Sequence, residues 1–252
     1  MTKSILVIGA TGKQGNAVVK QLLEDGWSVR AFTRNRNNEK LTSIENEHLE
    51  IFEGDLSNED SLAQAMQGQY GLYSVQPIIP DNVEEELRQG EMIIDTAERQ
   101  GVNYVVYSTA GGVNRDRTGP HFEALAQLEN KIKASRLNFT IIKPSFFMDN
   151  FLRITKVENG EIKIPEFIDP NVKFAMISSI DIAKIASTLF EDAESYNHQE
   201  LEIASDELTL NEVVKTFATV TGKPTEIEGA FTSGTAERSW LCLLYTSPSP
   251  RD

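Results

Sequence analysis

Apolar residues along this chain come in short runs separated by longer stretches with helical spacing. The run Ser4–Ile8 has strand length, and Val18, Leu22 and Leu23 after it fall on one side of a helix. Ser28–Arg34, Leu49–Leu56, Tyr70–Val75, Asn103–Ser108 and Asn138–Ile142 repeat the strand signal, with Pro144 ending the last. Val83–Gln100 reads as a helix with Met92, Ile93 and Ala97 on its inner face, and Glu123–Ser135 as another. Six strands buried on both faces and joined by helices predict an α/β fold with a doubly wound parallel sheet. Beyond Gly160 the pattern loosens into short strands at Ile162–Ile164 and Val172–Ile177. Helices follow at Ser179–Phe190 and Thr209–Thr221, the second stopped by Gly222 and Pro224. The expected organisation is one domain over residues 1–241, with an α/β core at 1–150 and a small, truncated C-terminal lobe at 151–241.

Between the first strand and the first helix lies Gly9-Ala10-Thr11-Gly12-Lys13-Gln14-Gly15. Strand, glycine-rich turn and helix in this order put backbone N–H groups and a positive helix end where a diphosphate can sit. The spacing is G-x-x-G-x-x-G, not the G-x-G-x-x-G of ordinary dehydrogenases. Gly9 is expected to permit the tight turn, Gly12 to let the backbone approach the diphosphate, and Gly15 to let the helix pack close to the strand. A structural turn without a ligand is the competing reading.

The second strand bears on which nucleotide. A site for NAD usually carries an acid near its end, on the ribose hydroxyls. Here Arg34 stands there instead, with Arg36 and Lys40 shortly after. A guanidinium fork suits a 2′-phosphate, so NADP(H) is expected ahead of NAD(H), against the alternative of a solvated basic loop. The third run ends in Gly54-Asp55-Leu56, where Asp55 either lies beside the adenine or caps the helix starting near Ser57.

Charge and composition narrow the classes. The chain of 252 residues carries 38 acids against 24 bases, a formal charge of −14. That argues against direct binding to nucleic-acid phosphate and makes the basic cluster stand out locally. No apolar run reaches membrane-spanning length, and no signal-peptide pattern opens the chain. One cysteine excludes a disulfide framework and a cysteine metal cluster, and His48, His121 and His198 lack ligand spacing. A soluble cytoplasmic protein without metal is expected. The stretch Cys242–Asp252 breaks from the rest and resembles one translated reading frame of a common transposase sequencing adapter. It is read as a non-native tail. The remainder then carries no cysteine.

Taken together, these motifs resemble the NmrA-like family of the atypical short-chain dehydrogenase/reductase superfamily. The resemblance rests on Gly9–Gly15, Arg34, Gly54-Asp55, Val106-Tyr107-Ser108, His121-Phe122-Glu123, the run Lys143-Pro144-Ser145-Phe146-Phe147-Met148-Asp149-Asn150, and Asp181-Ile182-Ala183. It covers most of residues 3–230. It implies a Rossmann fold that binds NADP(H) or NAD(H), with the C-terminal lobe taking substrate. Some members are redox-sensing regulators; others reduce quinones or plant phenolics. By position, Gly9, Ala10, Thr11, Gly12, Lys13, Gln14, Gly15, Arg34, Asp55 and Leu56 would hold the cofactor. The segment around Gln76 and Pro77, and the stretch Pro144–Phe147, would border the nicotinamide.

Catalysis in the superfamily uses Tyr-x-x-x-Lys, in which the lysine lowers the tyrosine pKa and grips the ribose. None of the tyrosines here is followed four residues later by lysine. His121 stands at the tyrosine position and Leu125 at that of the lysine. His121 is a candidate general acid, since imidazole titrates near neutrality; a turn residue after Gly119-Pro120, or a polar pocket residue, are its alternatives. Lys143 is expected as a surface lysine, Ser108 as a substrate contact or turn residue, and Phe146, Phe147 and Met148 as an apolar pocket. Two functions follow. The first is a redox-sensing regulator that binds NADP(H) and acts through a protein partner. The second is an NAD(P)H-dependent oxidoreductase of quinones or similar carbonyl compounds, because the cofactor supplies the hard chemistry.

Overall fold

The computed structural model describes residues 3–76, 78–79, 81–113 and 119–229. Its elements in chain order are β1 (Ser4–Ile8), α1 (Lys13–Glu24), β2 (Ser28–Thr33), α2 (Glu39–Thr42), β3 (Leu49–Glu53), α3 (Glu59–Met66), β4 (Gly71–Val75), α4 (Val83–Gln100), β5 (Tyr104–Ser108), α5 (Pro120–Ala134) and β6 (Phe139–Pro144). There follow β7 (Phe146–Phe147), α6 (Phe151–Ile154), β8 (Lys156–Glu158), β9 (Glu161–Pro165), β10 (Lys173–Ile177), α7 (Ser179–Glu191), β11 (Gln199–Ile203), β12 (Asp206–Thr209), α8 (Leu210–Thr221) and β13 (Thr225–Glu228). The described residues divide into two compact units, 3–144 with 179–203, and 145–178 with 204–229. Pro77 and the expected tail 242–252 lie outside the described residues.

In the first unit seven parallel strands run in the order β11-β6-β5-β4-β1-β2-β3. The alternation along β1 explains its central place. Leu6 and Ile8 enter a cluster with Leu62 and Met66 of α3, Ile93, Ile94 and Ala97 of α4, and Leu128 and Ile132 of α5. On the opposite face α1 packs on α7, whose Phe190 meets the rings of Trp27 and Tyr104. Helices on both faces leave β5 buried at every position, as a doubly wound sheet requires. The α4 bounds match the sequence reading because both ends carry local signals. Asn82 accepts the Glu85 N–H at 3.1 Å, and Gly101 leaves the helix at φ 67°.

The seventh strand is a departure from expectation. β11 pairs with β6 at the sheet edge, and its residues are mostly exposed. An edge strand alternating Glu200, Leu201, Glu202 and Ile203 has too little apolar content to stand out as a strand. The return of Ser179–Ile203 to the sheet also differs from a single division at residue 150.

The second unit has two three-stranded sheets, β12-β10-β7 and β13-β9-β8. Its core is aromatic. Phe146 stacks on Phe167 at 5.3 Å between centroids and meets Phe151 and Phe174, while Phe151 meets Phe217 of α8. A capping box between Thr209 and Glu212 starts α8. Phe146 and Phe147, expected to line a pocket, are both buried here, and Met148 packs against this core. No helix among the described residues is long and apolar enough to cross a membrane.

Candidate functional site

Strands β1 and β4 lie side by side, and the chain leaves them in opposite directions, β1 toward β2 and β3, β4 toward β5 and β6. In an open parallel sheet such a reversal opens a crevice at the carboxyl ends of the strands. The Gly9–Gly15 turn stands there. Gly9 takes φ 77°, and its carbonyl accepts the Gly12 N–H at 2.9 Å. A β-carbon at Gly9 would lie 2.7 Å from Val75 Cγ1, and one at Gly15 would lie 2.1 Å from the Gly9 oxygen. The protein's own packing therefore demands both glycines. A β-carbon at Gly12 would meet, within 4 Å, the Gly9 oxygen alone, at 3.2 Å. Glycine at position 12 thus leaves room over the turn, which suits a close-lying diphosphate. As N-cap of α1, Gly12 brings no side chain to the first-turn amides of Lys13, Gln14 and Gly15, which have no intrahelical acceptor.

Local side-chain bonds carry the basic segment to this turn. Thr33 Oγ1 accepts the Asn35 N–H at 3.2 Å, and Asn38 caps α2 by accepting the Lys40 N–H at 3.1 Å. Lys40 Nζ then donates to the Thr11 carbonyl at 3.0 Å, and the Lys40 carbonyl accepts from Asn16 Nδ2 at 3.1 Å. Arg34, Arg36 and Lys40 are all exposed. The Arg36 N–H is held by Glu53 Oε2 at 2.9 Å. Asp55 is exposed and accepts the Ser57 N–H at 2.8 Å. The cap of α3 is not Asp55 but Asn58, which accepts the Ser61 N–H at 3.0 Å. Leu56 packs, partly buried, on the core of the sheet.

Gln14 differs from its neighbours in the turn. Its side chain is buried, and Nε2 donates to Ser108 Oγ at 2.6 Å and to the Tyr73 hydroxyl. It pins α1 to β4 and β5, leaving its backbone to face the turn. Burial, partly offset by bonds to Gln14 and Ser108, pushes the Tyr73 hydroxyl far above its ordinary value.

A second buried set follows β4. Gln76 Oε1 accepts from the Tyr107 hydroxyl, and Gln76 Nε2 donates to the Glu86 carbonyl at 3.3 Å. Burial, then the charges of Glu129 and Glu86, push Tyr107 far up and keep it a phenol. The Glu86 carboxyl is 1% exposed. Its Oε1 lies 2.6 Å from His121 Nδ1, and its Oε2 accepts the Ile79 N–H at 3.3 Å. His121 occupies the first turn of α5, not a turn ahead of it. Leu125, one helical turn on, is buried. The sequence pointed to His121 but not to Glu86, which reads as one of three helix-opening acids. The available signal is spacing: Glu86 shares one helical stripe with Gly90, Ile93 and Ala97.

Lys143 corrects an expectation. It is a buried lysine, 9% exposed, bonded to Glu129 Oε2 at 2.9 Å and Glu200 Oε2 at 2.8 Å. Thr109 Oγ1 donates to Glu129 Oε1 at 2.8 Å, and Lys133 reaches Glu200 Oε1 at 2.6 Å. Burial alone would lower the Lys143 pKa; the bonds to Glu200 and Glu129 outweigh it and raise the pKa above its ordinary value. The network joins β6, α5 and the edge strand β11. Pro144 closes β6, with its carbonyl accepting the Gly111 N–H at 2.9 Å.

The fold and sequence can be set beside known proteins. Over 90% of this chain and 76% of the relative, the sequence is 28% identical to the NmrA-like family domain-containing oxidoreductase FrzB of Cladobotryum sp.. In structure it is similar to Citrobacter sp. triphenylmethane reductase, solved with NADP(H), at TM-score 0.77 and 21% identity over 90% of this chain and 79% of that one. It is also similar to NmrA, a negative transcriptional regulator solved with NAD and with NADP, at TM-score 0.78 and 17% identity over 97% and 82% of the two chains. The model of the NmrA-like family matches residues 1–231. This chain, with its parallel sheet and glycine turn at the strand reversal, belongs to the NmrA-like family.

Proposed function

We propose that the chain is an NADP(H)-dependent reductase of quinones or similar carbonyl compounds. The observation that carries the reading is the joint placement of two sets of groups at the carboxyl edge of one parallel sheet. One is an open glycine turn clasped by a basic segment; the other is a histidine held by a buried carboxylate. The bound dinucleotide would supply a hydride. The first-turn amides after Gly12 would face the diphosphate, and Arg34 the 2′-phosphate. Gln76 and Pro144, at the ends of β4 and β6, would border the nicotinamide, with Asp55 and Leu56 toward the adenine. The oxidoreductase relative and the structural likeness to a dye reductase support the same direction.

A redox-sensing regulator is the second reading. It is favoured by the missing Tyr-Lys pair, since Leu125 is buried where the lysine would stand, and by the likeness to NmrA. Purified protein with NADPH and a panel of quinones separates the two. Acceptor-dependent NADPH oxidation above background is expected; tight NADPH binding with no turnover would sink the reductase reading.

A further inference from the structure

Several buried polar groups line the carboxyl edge of β4, β5 and β6, and their partners decide what each can do. The Tyr73 and Tyr107 hydroxyls are kept protonated by burial and are bonded to Gln14 and Gln76. Ser108 Oγ accepts from Gln14 Nε2 at 2.6 Å. Lys143 is locked between Glu129 and Glu200. His121 differs, for its side chain keeps 16% exposure while Nδ1 rests on Glu86. A chain of contacts ties it to the turn. Val75 packs against Gly9, Gln76 follows Val75 and bonds the Glu86 carbonyl, and the Glu86 carboxylate holds the ring.

We propose that His121 gives the proton in the reduction, from Nε2, with Glu86 as its positioning residue; this rests on the reductase reading above. A carboxylate at Nδ1 obliges that nitrogen to carry a hydrogen, fixes the ring and leaves Nε2 as the exchanging nitrogen. The carboxylate is itself held, by the Ile79 N–H on its other oxygen and by burial within α4. A bound dihydronicotinamide would supply the hydride that turns the quinone into a hydroquinone monoanion. The Nε2–H bond of the imidazolium breaks, an O–H bond forms on that anion, and the neutral imidazole is reprotonated by one proton (H+) drawn from the solvent, the one proton the net reduction consumes. Atoms and charge balance without another co-reactant. The tyrosine-borne proton of the superfamily has here passed to a histidine whose orientation depends on a residue 35 positions away.

The test combines kinetics with a readout that needs no cofactor. Wild type, His121→Gln, Glu86→Leu and Glu86→Gln are assayed for quinone-dependent NADPH oxidation. Their imidazole nitrogens are followed by 15N NMR in the free protein. His121→Gln is expected to lose about a hundredfold in kcat, with the KM for NADPH changed by less than about twofold. In wild type the neutral His121 ring carries its hydrogen on Nδ1. Glu86→Leu loses that preference and loses kcat, while Glu86→Gln, which still offers an oxygen to Nδ1–H, restores the preference and part of the rate. If Glu86→Leu does not fold, His121→Gln and Glu86→Gln carry the test. Wild-type kcat in His121→Gln overturns the proposal alone, as does a wild-type ring without the Nδ1 preference. A wild type that binds NADPH but reduces no quinone overturns the reductase reading and this role with it.

Discussion

On the β1-β2-β3 side of the sheet the groups that frame the crevice sit on exposed turns. Arg34, Arg36, Lys40 and Asp55 are all at the surface and are placed by short-range bonds such as Thr33 to Asn35 and Asn38 to Lys40. On the β4-β5-β6 side the polar groups are buried and bonded across elements: Gln14 to Ser108, Tyr107 to Gln76, His121 to Glu86, Lys143 to Glu129. Exposed groups keep contact with water and cost little when changed. Buried ones must be satisfied inside the protein, so losing one partner exposes the full desolvation penalty of the other. The first side is held at the surface by local bonds, the second by burial and bonds between elements.

The largest expected effect breaks the buried side. Lys143→Ala leaves the fully buried Glu129 short of its main cation and should cost about 3 kcal/mol or more of stability. Lys143→Met with Glu129→Leu should recover much of it, since an apolar replacement of both partners removes the uncompensated charge. Urea denaturation of the three proteins reads this out. A Lys143→Ala protein as stable as wild type would dissolve the contrast between the two sides.

Next come the two glycines of the turn. Gly15→Ala forces a β-carbon onto the Gly9 oxygen and should cost about 2 to 3 kcal/mol. Gly12→Ala should stay within about 1 kcal/mol of wild type yet weaken NADPH binding about tenfold or more. Equal stability losses at the two positions would remove the argument that Gly12 serves a ligand.

A smaller effect sharpens the exposed side. Arg34→Ala should weaken NADPH about tenfold while leaving NADH within about twofold, with no measurable change in the thermal midpoint. Equal weakening of both would move the 2′-phosphate contact elsewhere. The smallest effect concerns Glu85, whose bonds to Arg88, Gln89 and Ser57 hold its carboxyl down to about 2. A depressed carboxylate stabilises the fold above its unfolded pKa and loses that contribution as pH falls through the folded one. The stability gap between wild type and Glu85→Gln should therefore be small at neutral pH and close on acidification from about 4.3 toward about 2. A gap that widens with acid would reverse this sign.

How far each side was legible follows from the same contrast. The glycine turn, Arg34 and α4 declared themselves because their signals are local: fixed spacing, a strand end, an Asn82 cap and a Gly101 stop. His121 was found because it stands at the position of the superfamily's tyrosine, but its partner Glu86 was hidden in a run of acids. Lys143 read as a surface residue because lysine usually is one; burial became tolerable when α5 and β11 brought two carboxylates to it. Phe146 and Phe147 read as pocket walls because apolar runs near a site invite that reading. In the structure Phe146 enters the core of the second unit and Phe147 is buried.

The sequence by itself determined a parallel, doubly wound sheet and the glycine turn at the end of β1, because hydrophobic period and backbone chemistry act over a few residues. It also determined the absence of a Tyr-Lys pair, which is a matter of identity alone. The tertiary structure decided which acids become partners. Glu86, Glu129 and Glu200 resemble the many other acids of the chain until packing removes water from two of them and sets a cation or an imidazole against each. Pairing of that kind depends on distances between elements far apart in the chain, and only the folded sheet supplies those distances.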